Sequence, residues 1–99
     1  MSKPVRVDAV VDQILEKHGI GDQVRRMEVL DAWPDLVGEG VARVTRAKGV
    51  DGATLLVEVR TSSWLMELNM MKGVFLEKVN EHLTDAPIDR IVFVLAETP

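Results

Sequence analysis

The sequence predicts an α+β fold of order α-α-β-β-α-β, a three-stranded mixed sheet with its helices packed on one face. Three observations carry that prediction. Two early stretches repeat apolar residues at helical spacing, an Asp-Gly pair divides two strand-like runs, and a long amphipathic stretch separates those runs from a final strand. Two strands of one sheet joined through a helix run parallel, with a right-handed crossover. The last strand should therefore lie parallel to the second, while the hairpin before it is antiparallel.

The first helix is read in "RVDAVVDQILEKH", residues 6–18, where Val7, Val10, Val11, Ile14 and His18 fall three and four apart. Gly19 and Gly21 should end it, and Asp22 is placed to cap the next helix, "QVRRMEVLDAW". The apolar face of that second helix is Val24, Met27, Leu30 and Trp33, continued beyond Pro34 by Val37 and Val41. Pro34 removes a backbone donor and disfavours helical geometry at Trp33, so a kink or a fresh start is expected there. Gly38 and Gly40 then loosen the chain before the sheet.

Residues 43–50, "RVTRAKGV", and 54–60, "TLLVEVR", read as strands joined around "DGA". Asp-Gly between extended runs signals a type I′ hairpin, in which both central residues need positive φ. Leu55, Val57 and Val59 share one face of the second strand, and Leu56, Glu58 and Arg60 the other. Val50 and Leu56 break clean alternation and leave the register across the turn open. Residues 63–83 predict one long helix capped by Ser62 or Ser63, with Leu65, Leu68, Met71, Phe75, Leu76, Val79 and Leu83 on one stripe. The last strand, "DRIVFVLA", is apolar on both faces, as expected with neighbours or cover on each side.

Ninety-nine residues, 46% hydrophobic and 28% charged, suit a single domain over 1–99, with 1–5 and 97–99 as short flexible ends. There is no cysteine, which excludes disulfides and thiolate chemistry. No apolar run approaches a membrane span and the N-terminus lacks a secretory pattern, so a cytoplasmic protein without membrane contact is expected. The net charge of −4 argues against nucleic-acid binding by bulk electrostatics, although not against a local basic patch.

Four segments, "AWPDLVGEGVARVTRA", "GATLLVEVRTSSWLMEL", "LEKVNEHL" and "IDRIVFVL", together resemble the DciA family over roughly residues 20–96. The most specific parts are the Trp33…Val37-Gly38 segment and the Leu-x-Val-x-Val…Ser-x-Trp-x-x-x-Leu segment over 55–68. The resemblance implies a KH-like (type II-like) domain, whose α-β-β-α-β order agrees with the one read from the residues. It also implies a DNA-replication factor with the DnaB-type replicative helicase as partner, and some family members bind DNA. Many members carry a basic or disordered extension beside the domain. This sequence has only short ends outside residues 6–96, a departure that leaves any function of such an extension open.

Candidate surfaces follow from the residues themselves. Arg43, Arg46 and Lys48 on the first strand and Arg60 on the second have only Asp51 and Glu58 among them as acids. That face is either a weak phosphate-contacting patch for single- or double-stranded DNA, or a solvated face with cross-strand pairs to Glu58. Met66, Met70 and Val74 lie four apart, opposite the core stripe and beside Glu67, Glu77 and Glu81. Flexible apolar side chains bordered by acids suit a docking surface, unless the N-terminal helices cover them. Trp33 belongs to the core, whereas Trp64 is either a core plug or an anchor for a partner.

The literal GxxG, "GVDG" at 49–52, lies in the hairpin, and "MKGVF" lacks a second glycine, so a KH grip on RNA is not expected. His18 and His82 stand alone, Asp31 and Asp35 form an ordinary helical pair, and Ser62 and Ser63 have no adjacent base. No catalytic, cofactor or metal site is therefore expected, and the resemblance implies a non-enzymatic adaptor for the helicase, with Trp64, Met66, Met70 and Val74 as its candidate docking residues. Two alternatives stand beside it: a nucleic-acid-binding module with no helicase role, and a structural domain that pairs with itself as a homodimer.

Overall fold

The computed structural model describes residues 20–97, so the helix expected over 6–18 lies outside the described residues. The elements are α1 (Ile20–Val37), α2 (Glu39–Ala42), β1 (Thr45–Asp51), β2 (Thr54–Val59), α3 (Ser62–Met70), α4 (Lys72–His82) and β3 (Arg90–Leu95). The strand order is β1-β2-β3, with β1 antiparallel and β3 parallel to β2. Leu55, Val57, Val59, Ile91 and Phe93 are buried on one face of this sheet, where the helices pack; the other face is open. The α+β reading therefore holds, with the sheet topology as expected and the element order roughly so. No described helix is long and apolar enough to cross a membrane.

The core is organised around aromatic rings. Trp33 projects from α1 between Phe75 of α4 and Phe93 of β3, with ring centroids 6.1 and 6.4 Å away. Phe75 and Phe93 meet edge to face at 6.2 Å, the geometry that the ring quadrupole favours. The indole Nε1–H of Trp33 donates to Thr45 Oγ1 at 2.9 Å, and that hydroxyl donates to the Val41 carbonyl at 2.7 Å. One threonine thus satisfies a buried donor and a helix-end acceptor at once.

Local chemistry moved several boundaries. Helical backbone already spans Ile20 and Gly21, so Asp22 sits in the first turn and accepts from Arg25 instead of capping. The helix continues through Pro34, and the fresh start comes at Gly38. A proline inside a helix costs about 3 kcal/mol. Here Trp33, Leu36 and Val37 all pack against the core and hold the last turn in place. Gly38 has φ 87° and ψ 161°, a conformation that side-chain-bearing residues rarely adopt.

The hairpin turn is Gly52-Ala53, between the paired residues Asp51 and Thr54. Only Gly52 has positive φ, 59°, so the turn is of the II′ kind with glycine first, not I′. Register slips between Ala47 and Gly49, which makes Lys48 an extra residue and explains the failed alternation at Val50 and Leu56.

The long helix is in fact two. Met71, at φ −109° and ψ 13°, separates α3 from α4, and its N–H bonds to the Leu68 carbonyl in a tightened last turn. Gly73, a poor helix former, follows immediately. Met71 consequently leaves the apolar stripe and is more than a third exposed. Thr61 is the cap, accepting from the Trp64 N–H at 3.2 Å, in place of either serine.

The apolar pattern of β3 predicts neighbours or cover on each side, but the strand lies at the sheet edge with Val92 and Val94 half-buried on the open face. Three side chains tie the periphery together. Asn80 both donates to and accepts from the Ile88 backbone, at 2.9 and 2.7 Å. Arg26 reaches the carbonyls of Pro87 and Gly52, and Gln23 that of Val50.

Candidate interaction surfaces

Two surfaces remain after the core is assembled, one on each layer. On the helix layer, Leu65 and Leu68 turn α3 towards the sheet, which sends Met66 and Met70 outwards. Met66 is 71% exposed and Met70 84%, and Val74 at the start of α4 is half exposed. The break at Met71 interrupts the single stripe expected of these three, yet all of them face solvent.

Trp64 lies at the rim, 37% exposed. With Met71, Glu67, Ser63 and Val41 of α2 it lines an open groove of about 530 Å³. Residues 64, 67 and 71 are three and four apart, so the groove follows one side of α3. The Trp64 indole makes no hydrogen bond to the described residues, and its ring touches no other aromatic. Glu67 likewise has no ion-pair partner among them.

The pairing register arranges the open sheet face in rows. Arg90, Thr54 and Asp51 lie side by side, then Val92, Leu56 and Gly49, then Val94, Glu58 and Arg46. Arg60 continues the same side of β2 beyond its last residue. Of the four basic residues singled out in the sequence, the structure brings Arg46, Lys48 and Arg60 to this face. Lys48 is engaged there, with its ammonium 3.3 Å from Glu58. Arg43 is not on the strand: it follows α2 and pairs with Glu39 at 2.9 Å. Both are exposed local pairs, worth about 0–1 kcal/mol.

Arg90 was missed in the sequence. The parallel register sets it beside Thr54, whose Oγ1 accepts from Arg90 Nε at 3.2 Å. An arginine opening an apolar strand was the available signal, but only the register gives its neighbours.

Charge is divided between the layers. Residues 43–60 hold four basic residues against two acids. Residues 20–42 hold two, Arg25 and Arg26, against five, and 61–89 hold two, Lys72 and Lys78, against five. The overall −4 therefore conceals a basic hairpin beneath acidic helices.

The family model described as "Dna[CI] antecedent, DciA" matches residues 6–93. The chain belongs to the DciA family. DciA proteins form a helicase-loader family of DNA replication. A UPF0232 protein of Rhodococcus jostii (strain RHA1) is 26% identical over 85 residues, covering 86% of this chain and 45% of the relative. The chain thus spans a little under half the length of that DciA relative. The matched region includes both candidate surfaces, from the Trp64 groove to Arg90.

Proposed function

We propose that this chain is a non-enzymatic adaptor that docks the DnaB-type replicative helicase on its helix layer, through Trp64, Met66, Met70 and Val74. The observation that carries the reading is the exposure of a tryptophan and two methionines on α3. Soluble domains seldom leave such residues together in water unless a partner covers them, and tryptophan is among the residues most enriched at interface hot spots. Methionine adds a side chain that adapts to a partner's contour. Membership of a helicase-loader family makes the helicase the partner to test.

The test is a titration of the helicase with iodide quenching of tryptophan emission as readout. Trp33 is 1% exposed and contributes little to quenching, so the signal reports Trp64. Saturable binding that protects the emission from iodide is expected, together with at least tenfold weaker binding by the Met66→Glu/Met70→Glu variant. Unchanged binding by that variant would move the docking surface elsewhere. If apparent mass instead rises with concentration and quenching falls in parallel, a second copy covers the same strip and the chain is a homodimer.

A second reading, weak DNA contact by the open sheet face, is favoured by the division of charge between the layers. It makes the basic hairpin the place where a polyanion meets least repulsion.

A further inference from the structure

Strand β3 is apolar on both faces, yet it has a neighbouring strand on one side only. We propose that its free edge pairs antiparallel with β3 of a second copy of this chain, joining the two sheets into one. The contact uses the edge of the sheet, not the strip on the helix layer, and does not depend on helicase docking.

Backbone direction decides which groups are free. Along a strand the N–H and C=O of one residue point to the same side, and successive residues alternate. The Arg90 N–H reaches the Ala53 carbonyl and the Ala96 N–H that of Val59, so the even-numbered residues of β3 are turned towards β2. Ile91, Phe93 and Leu95 therefore carry their donors and acceptors on the outer edge. None of these outward groups is hydrogen-bonded among the described residues.

The opposite edge of the sheet is guarded. Strand β1 has a bulge at Lys48, charges at Arg46 and Lys48, and its Val50 carbonyl is taken by Gln23 of α1 at 2.7 Å. Bulges, edge lysines and covering side chains are the usual means of keeping other strands off an edge. Strand β3 has no such guard: its pairing is regular, it lacks proline, and its single charge, Arg90, stands at the first position.

The strand is complementary to itself. A two-fold axis perpendicular to the sheet at Phe93 sets Phe93 against its own copy and Ile91 against Leu95 of the second copy, and each facing pair exchanges two hydrogen bonds. Every outward group of β3 is then satisfied. A slip by two residues either way sets Leu95 or Ile91 opposite chain outside the strand. The side chains agree with the same register. Leu95, 47% exposed, gains Ile91 of the second copy as a neighbour on the helix-packed face. On the open face Val92 lies beside Val94 of the second copy, a β-branched pair of the kind that stabilises sheets. The two copies of Arg90 fall at opposite ends of the joint, so no like charges meet. Paired in this way, β3 becomes an interior strand, as its apolar pattern predicts.

A contact through one short strand belongs to the small, weak class of interface. Sedimentation equilibrium of the full chain should therefore show a mass rising towards twice the monomer's between micromolar and millimolar concentration. The chain has no cysteine, so introduced thiols report the register without background. Val92→Cys and Val94→Cys, prepared separately and oxidised together, should give a mixed disulfide, because facing residues of a non-hydrogen-bonded pair lie about 4.5 Å apart at Cα. Either variant alone should crosslink at least tenfold more slowly. Val92→Lys/Val94→Lys sets like charges opposite each other and should weaken association at least tenfold, with an unchanged circular dichroism spectrum. Val92→Glu/Val94→Lys sets opposite charges there and should restore it, which a general loss of structure would not allow.

A mass that stays monomeric at millimolar concentration, a mixed disulfide no faster than those of the separate variants, or association equally weak in both charged variants overturns the proposal. Association that is lost in Met66→Glu/Met70→Glu and indifferent to positions 92 and 94 puts the second copy on the helix layer and overturns it as well.

Discussion

The two tryptophans occupy regions built on opposite principles. Around Trp33 every demand of the indole is met: two phenylalanine rings pack against it, Thr45 takes its N–H, and α1, α4 and the sheet close over it. Around Trp64 none is met among the described residues. Its ring borders an open groove, its N–H has no acceptor, and only its backbone is used, to bind the Thr61 cap. Three of the chain's four aromatic residues form the core, and the fourth is held at the rim by a well-capped helix. The contrast separates burial that makes the fold from partial exposure that the fold itself does not need.

The largest way to break this comparison is Trp33→Ala. It removes the centre of the ring cluster and leaves a cavity that α1 cannot collapse into, because Arg26 and Gln23 pin that helix to the hairpin and its neighbours. A loss of about 3–5 kcal/mol is expected, read as a large fall in the urea midpoint. A shift smaller than that of Trp64→Ala would invert the assignment. Thr45→Val comes next. It keeps the volume but strands the Trp33 N–H and frees the Val41 carbonyl, for a loss of about 1–3 kcal/mol. Serine at the same position should recover most of that loss if the hydroxyl is the cause.

The sequence made the sheet legible because alternation, an Asp-Gly turn and one crossover leave few topologies to choose from. Trp33 was legible for the same reason: it sits on a clear helical stripe. What could not be read were features decided by single competing interactions. The break at Met71 leaves no trace in the periodicity, because Leu68 and Phe75 are seven apart and would share the core face of an unbroken helix as well. Thr61 took the cap from two serines that were equally suitable by type. The bulge at Lys48 shifted the β1–β2 register by one residue, and with it which β1 residues neighbour β2 on the open face. Arg90 became a candidate only through the parallel β2–β3 register, and Arg43 lies before β1, paired with Glu39 one helical turn earlier. Site residues on a sheet are fixed by pairing, which a single strand's sequence does not contain.

The smallest effect on stability, and the sharpest for the comparison, is expected from Trp64→Ala. Removing this ring opens no closed cavity, since water already reaches the groove, and it strands no polar group. The loss should be about 1 kcal/mol, the transfer term for the covered part of the ring alone. The same change should weaken helicase binding at least tenfold, because the uncovered part of the ring is what a partner would bury. The two measurements must therefore diverge, with a nearly unchanged urea midpoint and a large change in affinity. A fall in stability close to that of Trp33→Ala would make Trp64 a core residue despite its exposure. Unchanged stability with unchanged affinity would leave the groove without a role and shift the docking surface to Met66 and Met70 alone. Trp64→Phe separates size from the indole N–H: if a partner accepts that hydrogen bond, phenylalanine will restore stability but not affinity.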